Sequence, residues 1–225
     1  MLHAALTTLY EETSARTLAL WRNAPGIGDA MQSDYYDKAR FAPATGIQPP
    51  LSAALRVLLE DVNALAEGDP LADAMPFNGL HFTFLAVTLP LYQRQQRPEK
   101  LAELLEIWEA YRARPTRISE LRLVALPGQL LLAGIPDSDS EAARKTLAQR
   151  LLRSGWRDEI TARYHNTPLP PPFWHSTLLR YRAQRLPAQW RDFFLNRQRL
   201  RYGSVSAARQ LVMANYNWTQ VEPLA

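Results

Sequence analysis

Leu80-His81-Phe82-Thr83-Phe84-Leu85 and, ninety-four residues further on, Trp174-His175-Ser176-Thr177-Leu178-Leu179 read alike, each a His-x-Thr set in an apolar run. Together they use two of the four histidines in the chain. In a β-strand residues i and i+2 share a face, so each stretch presents an imidazole beside a hydroxyl while its alternate residues face the other way. Two such strands brought face to face would set two imidazoles around one substrate atom. A single three-position pattern recurs by chance. Two copies, each with a β-prone run and each followed by an amphipathic helix, carry more information.

Working outward, the segments around the two stretches repeat one order. After the first, residues 98–112 carry Leu101, Leu104, Leu105, Trp108 and Tyr111 at helical spacing. Residues 117–126 and 129–135 then read as strands separated by Pro127-Gly128, an efficient turn pair. Asp137-Ser138-Asp139-Ser140 offers N-caps for a helix reaching about residue 153. A loop from Pro168 to Pro172 introduces the second stretch; a helix is expected after Pro187, and residues 200–208 with 210–218 are expected to form a closing hairpin. Ahead of the first stretch, Leu51, Ala54, Leu55, Leu58, Leu59, Val62 and Leu65 mark a helix over 51–66. Residues 1–22 are broadly helical and end at Pro25-Gly26-Ile27-Gly28.

Strand, helix and hairpin, twice over, predict an α+β protein with two pseudo-symmetric lobes whose histidine strands line a central cleft. The expected architecture is two antiparallel sheets facing the cleft with helices outside, plus an N-terminal helical extension. We divide the chain into that extension, 1–40, and one bilobal domain, 41–225, because no linker rich in Gly, Ser or Pro separates the lobes. The role of the extension and the oligomeric state are not readable from the sequence.

Composition narrows the chemistry. The 225 residues are 47% hydrophobic and 21% charged, ordinary for a globular chain with a sizeable core. With no cysteine, disulfides, thiolate chemistry and cysteine-ligated zinc are excluded, and the histidines are too scattered for a ligand motif. No cofactor or metal is expected, and no Gly-rich phosphate loop supports ATP or NAD chemistry. The N-terminus lacks a basic segment followed by an apolar core, and no stretch approaches a membrane span, so a cytoplasmic protein without membrane partners is expected. Residues 142–210 hold fourteen Lys or Arg against three Asp or Glu, although the whole chain is only +4. Arginine exceeds lysine by twenty-three to three, which suits bidentate phosphate recognition; equally, many of these arginines solvate helix faces.

The paired motifs resemble those of the two-histidine (2H) phosphoesterase superfamily, which includes the LigT-like RNA cyclic phosphodiesterases. The second copy, His175-Ser176-Thr177-Leu178-Leu179-Arg180, is similar to the LigT-like form in carrying an arginine five residues after the histidine. The resemblance covers about residues 40 to 218 and implies the same bilobal fold. It implies His81 and His175 as the catalytic pair, with His81 as acid and His175 as base when a cyclic phosphate is opened; the sequence alone does not make that assignment.

The chemistry follows from the residue types as well. Cleaving a phosphodiester needs a base for the incoming nucleophile, an acid for the departing oxygen and donors for the transition-state charge. Two imidazoles can divide the first two tasks, and Thr83 and Thr177 can donate hydroxyls to non-bridging oxygens. Arg180 is a phosphate-binding candidate on the wrong parity: five residues after His175 it faces away from the cleft unless a bulge intervenes. Phe173 and Tyr181, on the histidine parity, are candidates for stacking a base, whereas Phe82 and Phe84 are expected in the core. His165 reads as a loop residue and His3 as terminal. The expected activity is a metal-independent phosphodiesterase acting on a cyclic phosphate or diester of a nucleotide or RNA end. The alternatives are a 3′-to-5′ RNA-end trimming nuclease and a non-catalytic RNA- or nucleotide-binding module.

Overall fold

The computed structural model describes residues 2–112 and 114–225. Its elements in chain order are α1 (Leu2–Asn23), β1 (Phe41–Ile47), α2 (Ala53–Ala66), β2 (Ala72–Ala74), β3 (Phe82–Ala86) and α3 (Leu101–Trp108). Then follow β4 (Pro115–Leu126), β5 (Gln129–Pro136), α4 (Ser138–Leu152), α5 (Arg157–Arg163) and β6 (His175–Tyr181). The chain closes with α6 (Ala188–Arg197), β7 (Val205–Ala208), β8 (Gln210–Asn215) and β9 (Val221–Pro223).

Local chemistry accounts for the helices read from the sequence. Ser52 caps α2 by accepting from the Leu55 N–H, and Leu55, Leu58, Leu59 and Val62 form its buried stripe. Asp137 caps α4 by accepting from the Ser140 N–H at 2.7 Å. Helix α1 lies along β4 and β5, where Tyr10, Thr17 and Trp21 donate to the carbonyls of Gly134, Ala125 and Pro127. The extension is thus fastened to the β4–β5 hairpin by side-chain bonds as well as by apolar burial of Leu6, Tyr10 and Trp21.

Two antiparallel sheets result, with orders β3-β1-β8-β9 and β2-β6-β5-β4-β7. Each histidine strand sits in a sheet that mixes strands from both halves of the chain. Strand β3 joins β8 and β9, which follow the second histidine; β6 joins β4 and β5, which follow the first. Neither half supplies all the strands of its own sheet.

The expected hairpin over 200–218 is not one. Strand β7 pairs with β4 and strand β8 with β1, in different sheets. Only Arg209 separates them, too few residues for a reversal, and the chain instead passes from sheet to sheet. Arg209 is buried at that crossing, donating from Nε to Thr116 Oγ1 at 2.9 Å and from an Nη to Asp139 and Ser140, each at 3.3 Å. The hairpin of this region is β8–β9. Strand β1 was hidden by Pro43 and Gly46. Pro43 is tolerated because it lies at the margin of the ladder: its carbonyl, and with it the side that lacks an N–H, faces Val87 just past the end of β3, whose N–H donates to that carbonyl at 2.9 Å, so one edge bond is forgone and no central one.

Candidate active site

A cavity of about 280 Å³ opens between the sheets, and His81, Thr83, His175, Thr177 and Arg180 all line it. A shared device turns them there. Along β3 the pairing with β1 slips so that Phe84 is extra; along β6 the pairing with β5 slips so that Leu178 is extra. In both strands the bulged residue follows the threonine of His-x-Thr. Side chains of odd number face the cavity before the bulge and of even number after it, so Ala86 and Arg180, each five residues beyond its histidine, both line it. The bulge that Arg180 needs is therefore present at Leu178.

The same shift corrects two expectations. Tyr181 leaves the cavity for the core, where it is buried, so it is not a stacking residue. Phe84, expected wholly in the core, touches the cavity as the bulged residue while packing edge-on to Trp174 at 5.7 Å. Ladder bonds lost at the first bulge are replaced by the buried Thr45, whose Oγ1 accepts from the Leu85 N–H at 3.0 Å and donates to the Leu85 carbonyl at 2.8 Å. At the second, the Leu178 carbonyl accepts from the Met75 N–H at 2.8 Å.

His81 precedes β3 and is 6% exposed. Its Nδ1 lies 2.7 Å from the Gly79 carbonyl, which can only accept, so the proton of the neutral ring sits on Nδ1 and the lone pair on Nε2. Trp218 stacks on the ring with centres 4.8 Å apart and planes 4° from parallel. That indole hangs from the β8–β9 turn in a left-handed conformation, φ 56°. Gly46 makes room for it: a Cβ there would stand 2.6 Å from the Phe82 carbonyl oxygen and 2.8 Å from the indole. Burial lowers the His81 pKa to about 3, against the opposing Gly79 bond, with the charges of Arg180 and His175 adding to the lowering.

His175 opens β6, edge-on to Phe173 at 6.0 Å. Its pKa is lowered to about 4, first by burial and then by Arg180 and Arg144. Its buried Nδ1 has no hydrogen-bond partner, so no carbonyl orients this ring as Gly79 orients the other. The backbone beneath it is held instead. The Trp174 N–H donates to the Tyr10 hydroxyl at 3.2 Å, and Arg144 donates to the Phe173 carbonyl at 3.0 Å while its guanidinium lies 3.8 Å from the Trp174 ring centre. Trp174 in turn donates from Nε1 to Glu141 at 2.9 Å.

Arg180 is 9% exposed and lies 5.5 Å from the ring centres of both Tyr36 and Tyr216. Tyr216 is itself anchored by donating to Asp73 at 2.9 Å. Among the described residues no carboxylate comes within ion-pairing distance of Arg180, and the cavity lining contains no Asp or Glu. A buried, unpaired guanidinium beside two imidazoles and two threonine hydroxyls gives the cavity hydrogen-bond donors and positive charge of the kind an anion can accept. Phe173 also lines it. His165 is exposed and outside it, and His3 pairs with Glu120 on the surface.

Sequence reasoning missed Tyr36, Arg163, Tyr216 and Trp218, all lining residues. Tyr36 belongs to the extension, which the family resemblance leaves out. Trp218 sits at the edge of the stretch that the resemblance covers. Among the described residues no three His, Asp or Glu side chains gather as a metal site, and no helix is long and apolar enough to cross a membrane.

No protein-family model matches the chain, and no curated protein matches it significantly. Among solved structures it is similar to the crystal structure of TT0787 of Thermus thermophilus, at 17% identity and a TM-score of 0.47, over 76% of this chain and 87% of that one.

Proposed function

We propose that the protein is a phosphodiesterase that hydrolyses a cyclic phosphate or phosphodiester of a nucleotide or RNA end, using His81 and His175 as its acid–base pair and no metal. The observation that carries this reading is the convergence of two His-x-Thr pairs and an unpaired Arg180 on one cavity. Simple anion binding needs the arginine and the hydroxyls. It does not need two imidazoles, whose particular property is to take or give a proton near neutral pH.

In this reading the phosphoryl oxygens accept from Thr83, Thr177 and Arg180, and one imidazole takes the proton of the attacking oxygen while the other gives one to the departing oxygen. Burial keeps both rings neutral near neutral pH in the free protein, and the charge of a bound anion would favour uptake of a proton from water by one of them. Independence of metal rests on the donor set, since the lining offers no carboxylate to hold a divalent cation. The deciding experiment incubates the protein with 2′,3′-cyclic mononucleotides, cyclic dinucleotides and short RNAs, with and without EDTA. Hydrolysis that survives EDTA and disappears in His175→Ala supports the reading. Binding without turnover of any of these would replace it with a nucleotide-binding module.

A further inference from the structure

Arg163, the last residue of α5, also lines the cavity. A basic residue at a helix C-terminus is ordinarily explained by the helix dipole. Here a second arrangement is present. Arg163 lies 5.3 Å from the ring centre of Tyr164, and the Tyr164 hydroxyl accepts from the Ala86 N–H at 3.0 Å. Ala86 is the counterpart of Arg180: each stands five residues after its histidine and two after the bulge. The first strand thus brings no cation at the place where the second brings Arg180, and α5, docked through Tyr164 at that place, supplies one.

Two arginines, Arg180 buried and Arg163 half-buried, therefore line one cavity of about 280 Å³ whose lining holds no carboxylate, and no ion pair engages either among the described residues. Their reach differs. The charge of Arg180 bears on both imidazoles, whereas that of Arg163 bears on Tyr164. One anion at the histidines answers Arg180 and leaves Arg163 without a counter-charge.

We propose that Arg163 forms a second anion subsite, so that the preferred substrate is a nucleotide with two phosphates, the reacting one at the histidines and a 5′-phosphate at Arg163. This rests on the reading of the histidine pair as a phosphoryl site. Two sources could supply the second phosphate, the free 5′-monoester of a mononucleotide or the next link of an RNA chain.

The test is calorimetric titration of wild type and Arg163→Gln with adenosine 3′-monophosphate, adenosine 3′,5′-bisphosphate and a dinucleotide ending in the same 3′-phosphate. A charge-assisted contact predicts that wild type binds the bisphosphate about 10- to 100-fold more tightly than the monophosphate, and that Arg163→Gln brings this ratio close to one with little change for the monophosphate. Dinucleotide affinity matching the bisphosphate assigns the subsite to a chain link; affinity matching the monophosphate assigns it to a free monoester. Equal binding of mono- and bisphosphate, or no binding of either, overturns the proposal. So does an equal loss for both ligands in Arg163→Gln, which would mean that the two arginines clamp one phosphate. A bisphosphate preference in a protein that hydrolyses no diester would leave the subsite standing and remove the catalytic reading; hydrolysis without the preference would do the reverse.

Discussion

Binding of a tetrahedral anion at the two histidines should create a titrating imidazole in a pH range where neither titrates in the free protein. Burial holds His81 at about 3 and His175 at about 4, so above pH 5 both rings are neutral in the free protein. A unit negative charge about 4 Å from an imidazole, at the effective dielectric of about 20 suited to such sites, favours the imidazolium by about 4 kcal/mol. At about 1.4 kcal/mol per pKa unit this is a rise of about three units, enough to bring His175 near 7 and His81 near 6. The second proton must then be added beside an existing imidazolium, so only one ring is expected to gain charge in the neutral range. Sulfate is a suitable probe because its own charge is constant over this interval. Nitrogen-detected NMR of the imidazoles should show both flat from pH 8 to 5 without sulfate, and one midpoint between about 6 and 7 with saturating sulfate. Sulfate affinity should correspondingly weaken about tenfold per pH unit as pH rises from 5 towards that midpoint. A midpoint near 6.5 for both rings in the free protein, or none with sulfate bound, would refute the coupling between anion binding and protonation.

Other consequences are checked more simply. His81→Ala and His175→Ala should each lower turnover by at least about 10²-fold, with the double variant losing far less than the product of the two, as steady-state kinetics would show. Because the unfolded chain binds the protons that the folded histidines refuse, stability should fall as pH drops from about 6.5 towards 4, by up to about 1.4 kcal/mol per pH unit for each ring; urea titrations of wild type and His81→Asn should diverge in that window. Gly46→Ala drives a methyl into the Phe82 carbonyl and the Trp218 indole and should cost about 1 to 3 kcal/mol in urea unfolding. Tyr10→Phe leaves the Gly134 carbonyl without its hydroxyl partner and the Trp174 N–H without its acceptor; a loss of about 1 to 3 kcal/mol with a falling kcat would tie the N-terminal helix to the placement of His175.

How much of this was legible in the sequence depended on whether the controlling interaction was local. Helices α2 and α4 were, α2 by the regular spacing of its apolar residues and α4 by the capping residues from Asp137 onward. The facing of His81 with Thr83, and of His175 with Thr177, followed from strand parity. Arg180 marks the limit: its spacing required a bulge, and only the pairing of β6 with β5 shows that the bulge falls at Leu178. That one displaced residue brought Arg180 into the cavity and sent Tyr181 out of it. Strand β1 was illegible because Pro43 and Gly46 speak against a strand in isolation, whereas in the sheet Pro43 faces Val87 just past the end of β3 and Gly46 admits Trp218. Tyr36 and Trp218 could not be found from spacing, since each reaches the cavity by a long-range contact made from a loop or turn.

The exchange of hairpins between sheets explains why these long-range contacts matter so much at this site. Were each histidine strand paired with the hairpin that follows it, the two imidazoles would belong to separately closing units, and their separation would depend on how those units docked. Here β3 is completed by strands that follow His175, and β6 by strands that follow His81. Arg209, buried where the chain crosses between the sheets, binds β4 through Thr116 and lies 5.0 Å from the Phe84 ring at the first bulge. Anything that loosens one sheet therefore disturbs the other, and the distance between the two histidines is set by the same packing that makes the domain fold. Acid–base work divided between two side chains demands that constancy, because misplacement by about an ångström costs on the order of a hundredfold in rate.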